Sequence, residues 1–302
     1  MSYSANLKRE ILGLENEKNE VIFAELFGIL ASKNAILENG LFFSTENVSF
    51  AKRVYSNLRK VTNLDIQLKY IISKRQLFSK TYRIILIPTK QNEKEYKSFF
   101  EKLFSCKNCS AKNVEDEEKI AGVIRGAFLS CGYIKAPEKS YALDFFLDSE
   151  DFSNFLFNLF CEMGKKISKT EKKEKKIIYL RNSEDILDII FLTGAVNSFF
   201  AFEEVTINKE IRNKINRNMN WEIANETKKI SASEKQIKMI KYIDEKIGLA
   251  ELSNVLQETA KARLENEELS LQELADLMNI SKSGIKNRFR RIETMYKDLL
   301  NY

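Results

Sequence analysis

The sequence predicts an α+β fold, in which a duplicated N-terminal domain of helices and two-stranded hairpins is followed by an all-α C-terminal domain. An order of helix, two strands, helix and two strands can be traced near the N-terminus, and it recurs about a hundred residues later. Residues 231–302 carry only helical periodicity. With 302 residues, 44% hydrophobic content and two prolines, the chain is long enough for two cores.

The first half of the duplicated domain covers about residues 5–90. Its second helix, residues 19–35, is apolar on most sides and is therefore expected to be buried. The predicted helices are residues 5–14, 19–35 and 48–61, and the predicted strands lie within residues 36–43, 67–73 and 81–87.

The second half covers about residues 115–195. Its predicted helices are residues 118–130, 152–163 and 185–192, and its strands lie at 132–134, 141–147, 167–168 and 177–180, the last two on either side of a lysine-rich loop. Placing Gly28 on Gly126 puts Ser32 on Ser130. Both glycines fall inside helices, where glycine costs about 1 kcal/mol relative to alanine, and close approach of two helices would explain them. We therefore expect two αββαββα halves packed about a pseudo-twofold axis.

Residues 269–292 are predicted to form two short helices with a tight break. The first helix has apolar residues at helical spacing (Leu271, Leu274, Ala275 and Met278). Asn279 ends this helix because asparagine tolerates a left-handed backbone, and Ser281 stands where an N-cap belongs. The second helix packs inward through Ile285, Phe289 and Ile292. This pattern is typical of a helix-turn-helix whose second helix enters a DNA major groove.

The other side of the second helix carries five basic residues between positions 281 and 291 and no acid. An ordinary amphipathic pair with a solvated basic face is the alternative interpretation. The agreement of apolar spacing, break, cap and one-sided charge favours DNA binding. The candidate DNA contacts are Ser281, Lys282, Ser283, Lys286, Asn287, Arg288, Arg290 and Arg291.

The domain boundaries follow from composition. Residues 1–204 form the duplicated domain, and residues 205–230 form a polar helical linker with scattered asparagines. Ser231 and Glu234 match a capping box, so a new helix is predicted to begin there and to open the domain of residues 231–302. A final helix bearing Tyr296, Leu299 and Leu300 is expected to cover this domain.

The sequence offers little for catalysis or for holding a cofactor. It contains no histidine, which removes the commonest general base, and its four cysteines include one close pair, Cys106 and Cys109. A zinc site needs four well-placed ligands, so we expect neither a metal nor a cofactor. No signal-peptide pattern or membrane-spanning apolar run is present, which predicts a cytoplasmic protein without membrane contact.

Residues 124–132 (Ile-Arg-Gly-Ala-Phe-Leu-Ser-Cys-Gly) resemble a degenerate LAGLIDADG motif, the paired-helix signature of homing endonucleases. Together with the C-terminal helix-turn-helix, residues 282–292, and the asparagine-rich residues 216–225, the chain resembles the bacterial WhiA family over nearly its whole length. The resemblance implies a LAGLIDADG-like N-terminal domain and a nucleoid-associated DNA-binding transcriptional regulator with a role in cell division and chromosome segregation. The implied partners are double-stranded DNA and an RNA polymerase sigma factor or another regulator; residues 231–302 also resemble sigma factor region four.

Homing endonucleases carry a metal-binding acid at the end of each motif helix. Here the repeat places Lys33 and Cys131 at those positions, and neither can hold Mg²⁺, which prefers carboxylate oxygen. We therefore expect that the protein is not an enzyme. Two alternatives stay open: an active metal-dependent endonuclease, and a protein-binding adaptor whose DNA contact is incidental.

Residues 52–90 form the most one-sided basic segment, with ten Lys or Arg residues against one acid, Asp65. Two predicted strands of the first half lie within it, and homing endonucleases lay such strands along DNA. A solvated surface or a patch for an acidic partner is equally compatible with the pattern. The candidate phosphate contacts are Lys52, Arg53, Lys69, Lys74, Arg75 and Arg83.

Overall fold

The computed structural model describes residues 2–15, 18–37, 40–73 and 79–301. The chain divides into two compact units, Met1–Lys209 and Glu210–Tyr302. Each unit has its own cluster of buried hydrophobic side chains.

In the part of the chain that the structure describes, seven α-helices and eight strands precede the long helix that enters the second unit. The helices are α1 (Tyr3–Leu12), α2 (Asn19–Ser32), α3 (Val48–Val61), α4 (Glu93–Ser105), α5 (Glu117–Cys131), α6 (Glu150–Glu162) and α7 (Ser183–Thr193). The strands are β1 (Ile36–Leu37), β2 (Gly40–Thr45), β3 (Gln67–Ser73), β4 (Ser79–Leu86), β5 (Gly132–Ile134), β6 (Leu143–Leu147), β7 (Ile167–Lys172) and β8 (Lys175–Leu180).

The two halves of this unit have the same topology, which confirms the predicted duplication. Each half contributes one antiparallel four-stranded sheet, in the orders β1-β2-β4-β3 and β5-β6-β8-β7. The helix α4 closes the first half and extends it beyond residue 90. The predicted lysine-rich hairpin loop of the second half is shorter than expected, because β7 and β8 extend into it and are joined by Lys173 and Glu174 alone, with φ of 49° and 65°. Positive φ at two central residues matches the twist of the flanking strands.

The helices α2 and α5 pack backbone against backbone at the two glycines. A methyl group at Gly28 would lie 2.2 Å from the Val123 carbonyl oxygen, and one at Gly126 would lie 2.1 Å from that of Glu25. The contacts are reciprocal, since Val123 and Glu25 each stand three residues before the glycine of their own helix. One turn further on, the hydroxyl oxygens of Ser32 and Ser130 lie 2.9 Å apart. The expected close approach and pseudo-twofold pairing are both confirmed.

A buried ion pair reinforces the same interface. The Glu25 carboxylate is inaccessible to solvent, and it accepts hydrogen bonds from Arg53 Nε at 2.5 Å, Arg53 Nη2 at 2.8 Å and Asn57 Nδ2 at 3.0 Å. Arg125 of α5 approaches Glu25 to 3.7 Å. The prediction that Arg53 contacts DNA phosphate is therefore wrong, because its guanidinium neutralises a carboxylate inside the unit.

The second unit begins within the 52-residue helix α8 (Val196–Ile247) and continues through α9 (Asn254–Glu265), α10 (Leu271–Leu277) and α11 (Lys282–Leu300). The prediction that Ser231 caps a new helix is wrong, since α8 runs through that position without a break. No glycine or proline occurs between residues 196 and 247. Nothing therefore ends the preceding helix, and the capping pattern lies in a helix interior.

Arg263 of α9 joins the parts of the second unit. Its side chain is 1% exposed, and Nη1 donates to the carbonyl oxygens of Leu269 at 2.7 Å and Asn266 at 3.2 Å. The guanidinium also lies over the Phe289 ring, 5.7 Å from its centroid. A single buried cation thus ties the loop before α10 to the inner face of α11.

We predict that Gly28→Ala and Gly126→Ala each destabilise the N-terminal unit by about 3 kcal/mol, because backbone atoms of the facing helix cannot move aside for a methyl group. Amide hydrogen exchange of α2 and α5, followed in the full chain, measures the loss of stability within the N-terminal unit. Gly13→Ala is the matched control, since its new methyl meets nothing closer than 3.4 Å. Equal protection in all three variants would refute the packing argument.

We predict that Arg263→Met destabilises the second unit by about 1–3 kcal/mol, because it removes the buried donor of the half-buried Asn266 and Leu269 carbonyl oxygens. Arg291→Met, at an exposed position of α11, should change stability by less than about 0.5 kcal/mol. Hydrogen exchange in α10 and α11 distinguishes the two variants. Similar exchange rates in both would show that Arg263 does not hold these helices together.

Candidate nucleic-acid interface

The predicted helix-turn-helix consists of α10 and α11. Asn279 adopts φ of 53° after α10, and the Ser281 hydroxyl accepts a hydrogen bond from the Gly284 amide at 3.1 Å, so both predicted turn residues are confirmed. The start of α10 was not predicted. There Ser270 and Glu273 form a reciprocal capping box, for which the Ser-Leu-Gln-Glu pattern is a sufficient signal.

The inner face of α11 is buried as predicted. Ile285 and Ile292 are inaccessible and Phe289 is 5% exposed, in the same cluster as Leu274 and Ala275 of α10. The helix continues to Leu300, so the prediction of a separate final helix is wrong. No glycine or proline follows Gly284 to end α11. Near the C-terminal end of α11, the Tyr296 ring packs edge-on against the Tyr242 ring of the long preceding helix, with 5.2 Å between the ring centroids.

The outer face of α11 presents unpaired cations together with short polar side chains. Lys286, Asn287 and Arg290 are exposed and share a groove of about 410 Å³ with Ser283. Lys282 and Arg291 are exposed as well. Within the part of the chain that the structure describes, none of these four cations lies within 4.0 Å of a carboxylate oxygen. The face is thus positively charged and accessible, and no carboxylate of the described residues pairs with these four cations.

Arg288 does not share this face. Its side chain is half-buried, and Nη1 donates to the Thr259 hydroxyl of α9 at 3.2 Å. The helical rotation that places Lys286 and Arg290 outward turns Arg288 toward α9 instead. Its expected role as a DNA contact is corrected to a contact within the unit.

Four residues of α8 line the groove beside α11, and none of them was predicted: Ala232, Lys235, Gln236 and Met239. Lys235 Nζ lies 3.0 Å from the Glu293 carboxylate, and Gln236 is 7% exposed. The Gln236 Oε1 atom is buried and has no hydrogen-bond partner among the described residues. No local pattern could have revealed these residues, because only the packing of α8 against α11 brings them to the groove.

The candidate phosphate contacts of residues 52–90 do not form one surface. Lys69 and Arg83 are exposed cross-strand neighbours of β3 and β4, on the sheet face opposite the buried Phe43 and Ile84. Lys52 is exposed, but it belongs to α3. This helix packs on the opposite, buried face of the sheet, where the ring centroids of Phe50 and Phe43 lie 5.3 Å apart. Lys74 and Arg75 lie outside the described residues.

The ends of α2 and α5 carry the two side chains expected in place of metal-binding acids. Lys33 is the C-cap of α2, and Cys131 is the last residue of α5. The Cys131 Sγ lies 3.1 Å from the Ala127 carbonyl oxygen, and burial raises the pKa of this thiol to about 12, so it stays protonated. Among the residues described, no three His, Cys, Asp or Glu side chains gather as a metal site requires.

A search of the described helices for membrane spans finds none with sufficient length and apolarity to cross a bilayer.

Known families match both parts of the chain. Residues 120–212 match the WhiA LAGLIDADG-like domain, and residues 215–296 match the WhiA C-terminal HTH domain. Two curated relatives named probable cell division protein WhiA are similar over almost their whole length. The protein of Staphylococcus epidermidis is 32% identical, covering 100% of this chain and 98% of the relative. That of Pediococcus pentosaceus is 35% identical, covering 97% of each.

A solved structure supports the same fold. The full-length DUF199/WhiA protein from Thermatoga maritima covers 99% of this chain and 98% of its own, with a TM-score of 0.57 and 22% sequence identity. The duplicated LAGLIDADG-like unit and the helix-turn-helix thus occur together in a known protein. From the two domain matches and the full-length relatives, the chain belongs to the WhiA family.

Proposed function

We propose that this protein is a sequence-specific, DNA-binding transcriptional regulator without catalytic activity, acting in the cytoplasm at the nucleoid in cell division and chromosome segregation. The observation that carries the proposal is the outer face of α11, where four cations flank Ser283 and Asn287 and none has a carboxylate partner among the described residues. The printed names of the curated relatives support the cell-division role. An RNA polymerase sigma factor or another regulator remains a proposed partner.

The proposed mechanism places the first half of α11 in a major groove. Asn287 has the paired donor and acceptor that suit an adenine edge, and Lys286 and Arg290 suit guanine or a phosphate. Lys282 and Arg291, nearer the edges of the face, neutralise phosphates and set the position of the helix. Since Ser281 caps the helix and its inner face is already packed, binding requires no new folding of α11.

The chemistry at the ends of α2 and α5 argues against the endonuclease alternative. Lys33 and the protonated thiol of Cys131 stand where homing endonucleases carry their metal-binding acids, whereas Mg²⁺ binds through carboxylate oxygens. Incubation of supercoiled plasmid with Mg²⁺ or Mn²⁺ tests this directly. We expect no nicking above that of an EDTA control, and metal-dependent nicking that copurifies with the wild-type chain would reverse the conclusion.

The adaptor alternative is favoured by one observation. The outward face of the second sheet carries exposed aromatic side chains, with Tyr133 45% and Phe146 38% exposed. Phe146→Ser separates the two functions, because an adaptor would lose its protein partner while a regulator would keep its operator affinity. Loss of operator binding on changing Phe146 would contradict the assignment of recognition to α11.

We predict that Lys286→Ala, Asn287→Ala and Arg290→Ala each weaken specific DNA binding by about 1–3 kcal/mol, because each removes a base or phosphate contact. Fluorescence anisotropy with an operator identified by genome-wide mapping measures the change. Lys261→Ala, an exposed cation of α9, controls for the loss of one charge elsewhere in the unit. Unchanged affinity in all three test variants would eliminate this face as the reading surface.

We predict that a double substitution, Lys69→Ala with Arg83→Ala, flattens the salt dependence of DNA binding. Each lost phosphate contact lowers the slope of log affinity against log salt by about 0.9, so two contacts remove nearly two units. Lys52→Ala is the control, because its side chain lies on the helix layer. A slope equal to that of the wild type in the double variant would show that this sheet does not meet phosphate.

A further inference from the structure

A cavity of about 530 Å³ opens beside the end of α2 in the N-terminal unit. Its volume lies in the range of small-molecule sites, about 300–1,000 Å³. Eight of its twelve lining side chains are polar, among them Lys8, Lys33, Ser44, Thr45, Asn47 and Ser130. Leu12, Phe50 and Leu129 supply apolar wall. The recess therefore combines an apolar wall with several polar groups, as small-molecule sites do.

The two lysines make the cavity an anion site. Lys8 is half-buried, with Nζ 5.5 Å from the centre of the Phe128 ring, and it has no carboxylate within 4.0 Å among the described residues. Lys33 lies 3.9 Å from Asp148, whose other oxygen is engaged by Lys175. Glu46 is the one acid in the lining, and it is exposed. The cations of the recess are therefore incompletely neutralised by the protein.

The start of α3 places the positive end of a helix dipole beside this charge. Asn47 caps the helix by accepting from the Phe50 amide at 3.1 Å, and the Thr45 hydroxyl accepts from the Asn47 amide at 3.2 Å. Asn47 and Phe50, at the start of this helix, line the same recess as the two lysines, and helix N-termini favour anions. The Ser44 hydroxyl can donate to a phosphate oxygen, whereas the Ser130 hydroxyl already donates to the Ile29 carbonyl oxygen at 3.2 Å.

We propose that this cavity binds a small phosphomonoester, such as a mononucleotide, with its phosphate between Lys8 and Lys33 and its organic part against Phe50 and Leu12. A phosphomonoester carries a charge of about −2 at neutral pH, which matches two ammonium groups, whereas a single carboxylate would leave one unpaired. The site belongs to the N-terminal unit and does not depend on the proposed DNA reading by α11.

The ionisation of Lys8 gives the binding a pH dependence. Burial, reinforced by the nearby Lys33, lowers the pKa of Lys8 to about 8. Cys131 also faces it but stays protonated, and Glu46 lies at the rim. The cation is thus present below pH 8 and lost above it. Affinity for the phosphomonoester should accordingly fall as the pH rises through about 8. A separate, small change in affinity is expected near pH 6, where the phosphate group of the ligand loses its second proton.

Isothermal titration calorimetry of the full chain with AMP and with inorganic phosphate, in EDTA, tests the site. We expect both ligands to bind and to compete. Lys8→Gln and Lys33→Gln should each weaken AMP binding about tenfold or more, because each removes a charge-assisted hydrogen bond. Lys94→Gln, an exposed lysine of α4, is the control and should bind AMP like the wild type. Lys8→Arg should recover most of the affinity lost in Lys8→Gln.

Several results would overturn the assignment. These are no binding of AMP or phosphate to the wild type, unchanged binding in Lys33→Gln, or an equal loss in Lys94→Gln. Lys33 is exposed at the end of its helix, so its variant is informative even if Lys8→Gln fails to fold. A phosphate of the DNA backbone is the other source of the same chemistry. If neither small ligand binds while Lys33→Gln weakens binding to non-specific duplex more than Lys94→Gln does, the phosphate is that of DNA and the small-ligand assignment is wrong.

Discussion

The contact between the backbones of α2 and α5 determines the architecture of the N-terminal unit. Two helices can approach this closely only where neither carries a side chain at the crossing, and Gly28 and Gly126 meet that condition on both sides. Once the helices are held at this distance, Ser32 meets Ser130 and the ends of α2 and α5 are fixed. The two sheets then take equivalent positions on either side, each built in the same strand order.

The polar groups at this interface are tolerated because each is satisfied. Glu25 is fully buried and would be strongly destabilising alone, yet Arg53 and Asn57 supply three hydrogen bonds to it. Removal of one partner of such a pair typically costs about 3–5 kcal/mol. Arg263 has a similar role in the second unit, where it satisfies two loop carbonyl oxygens. In both units an internal arginine is structural, while the arginines available for DNA lie on the surface.

Local sequence signals predicted much of the helix-turn-helix. The left-handed Asn279, the capping Ser281 and the apolar spacing of α11 each depend on neighbours within a few residues, so the pattern alone fixes them. The duplicated order of helices and strands could be predicted for the same reason. By contrast, the burial of Arg53 follows from Glu25, which is 28 residues away in sequence. The direction of Arg288 depends in the same way on Thr259 of another helix.

The Ser32–Ser130 pair has a consequence for the symmetry of the chain. Equivalent residues that touch across a helix crossing are the signature of a symmetric homodimer in which one residue meets its own copy. The present arrangement has the symmetry of such a dimer within one polypeptide. Lys33 and Cys131 stand at equivalent positions and differ, whereas the positions at the helix crossing are glycine in both halves. The symmetry is therefore kept where the backbones touch and is lost one turn beyond.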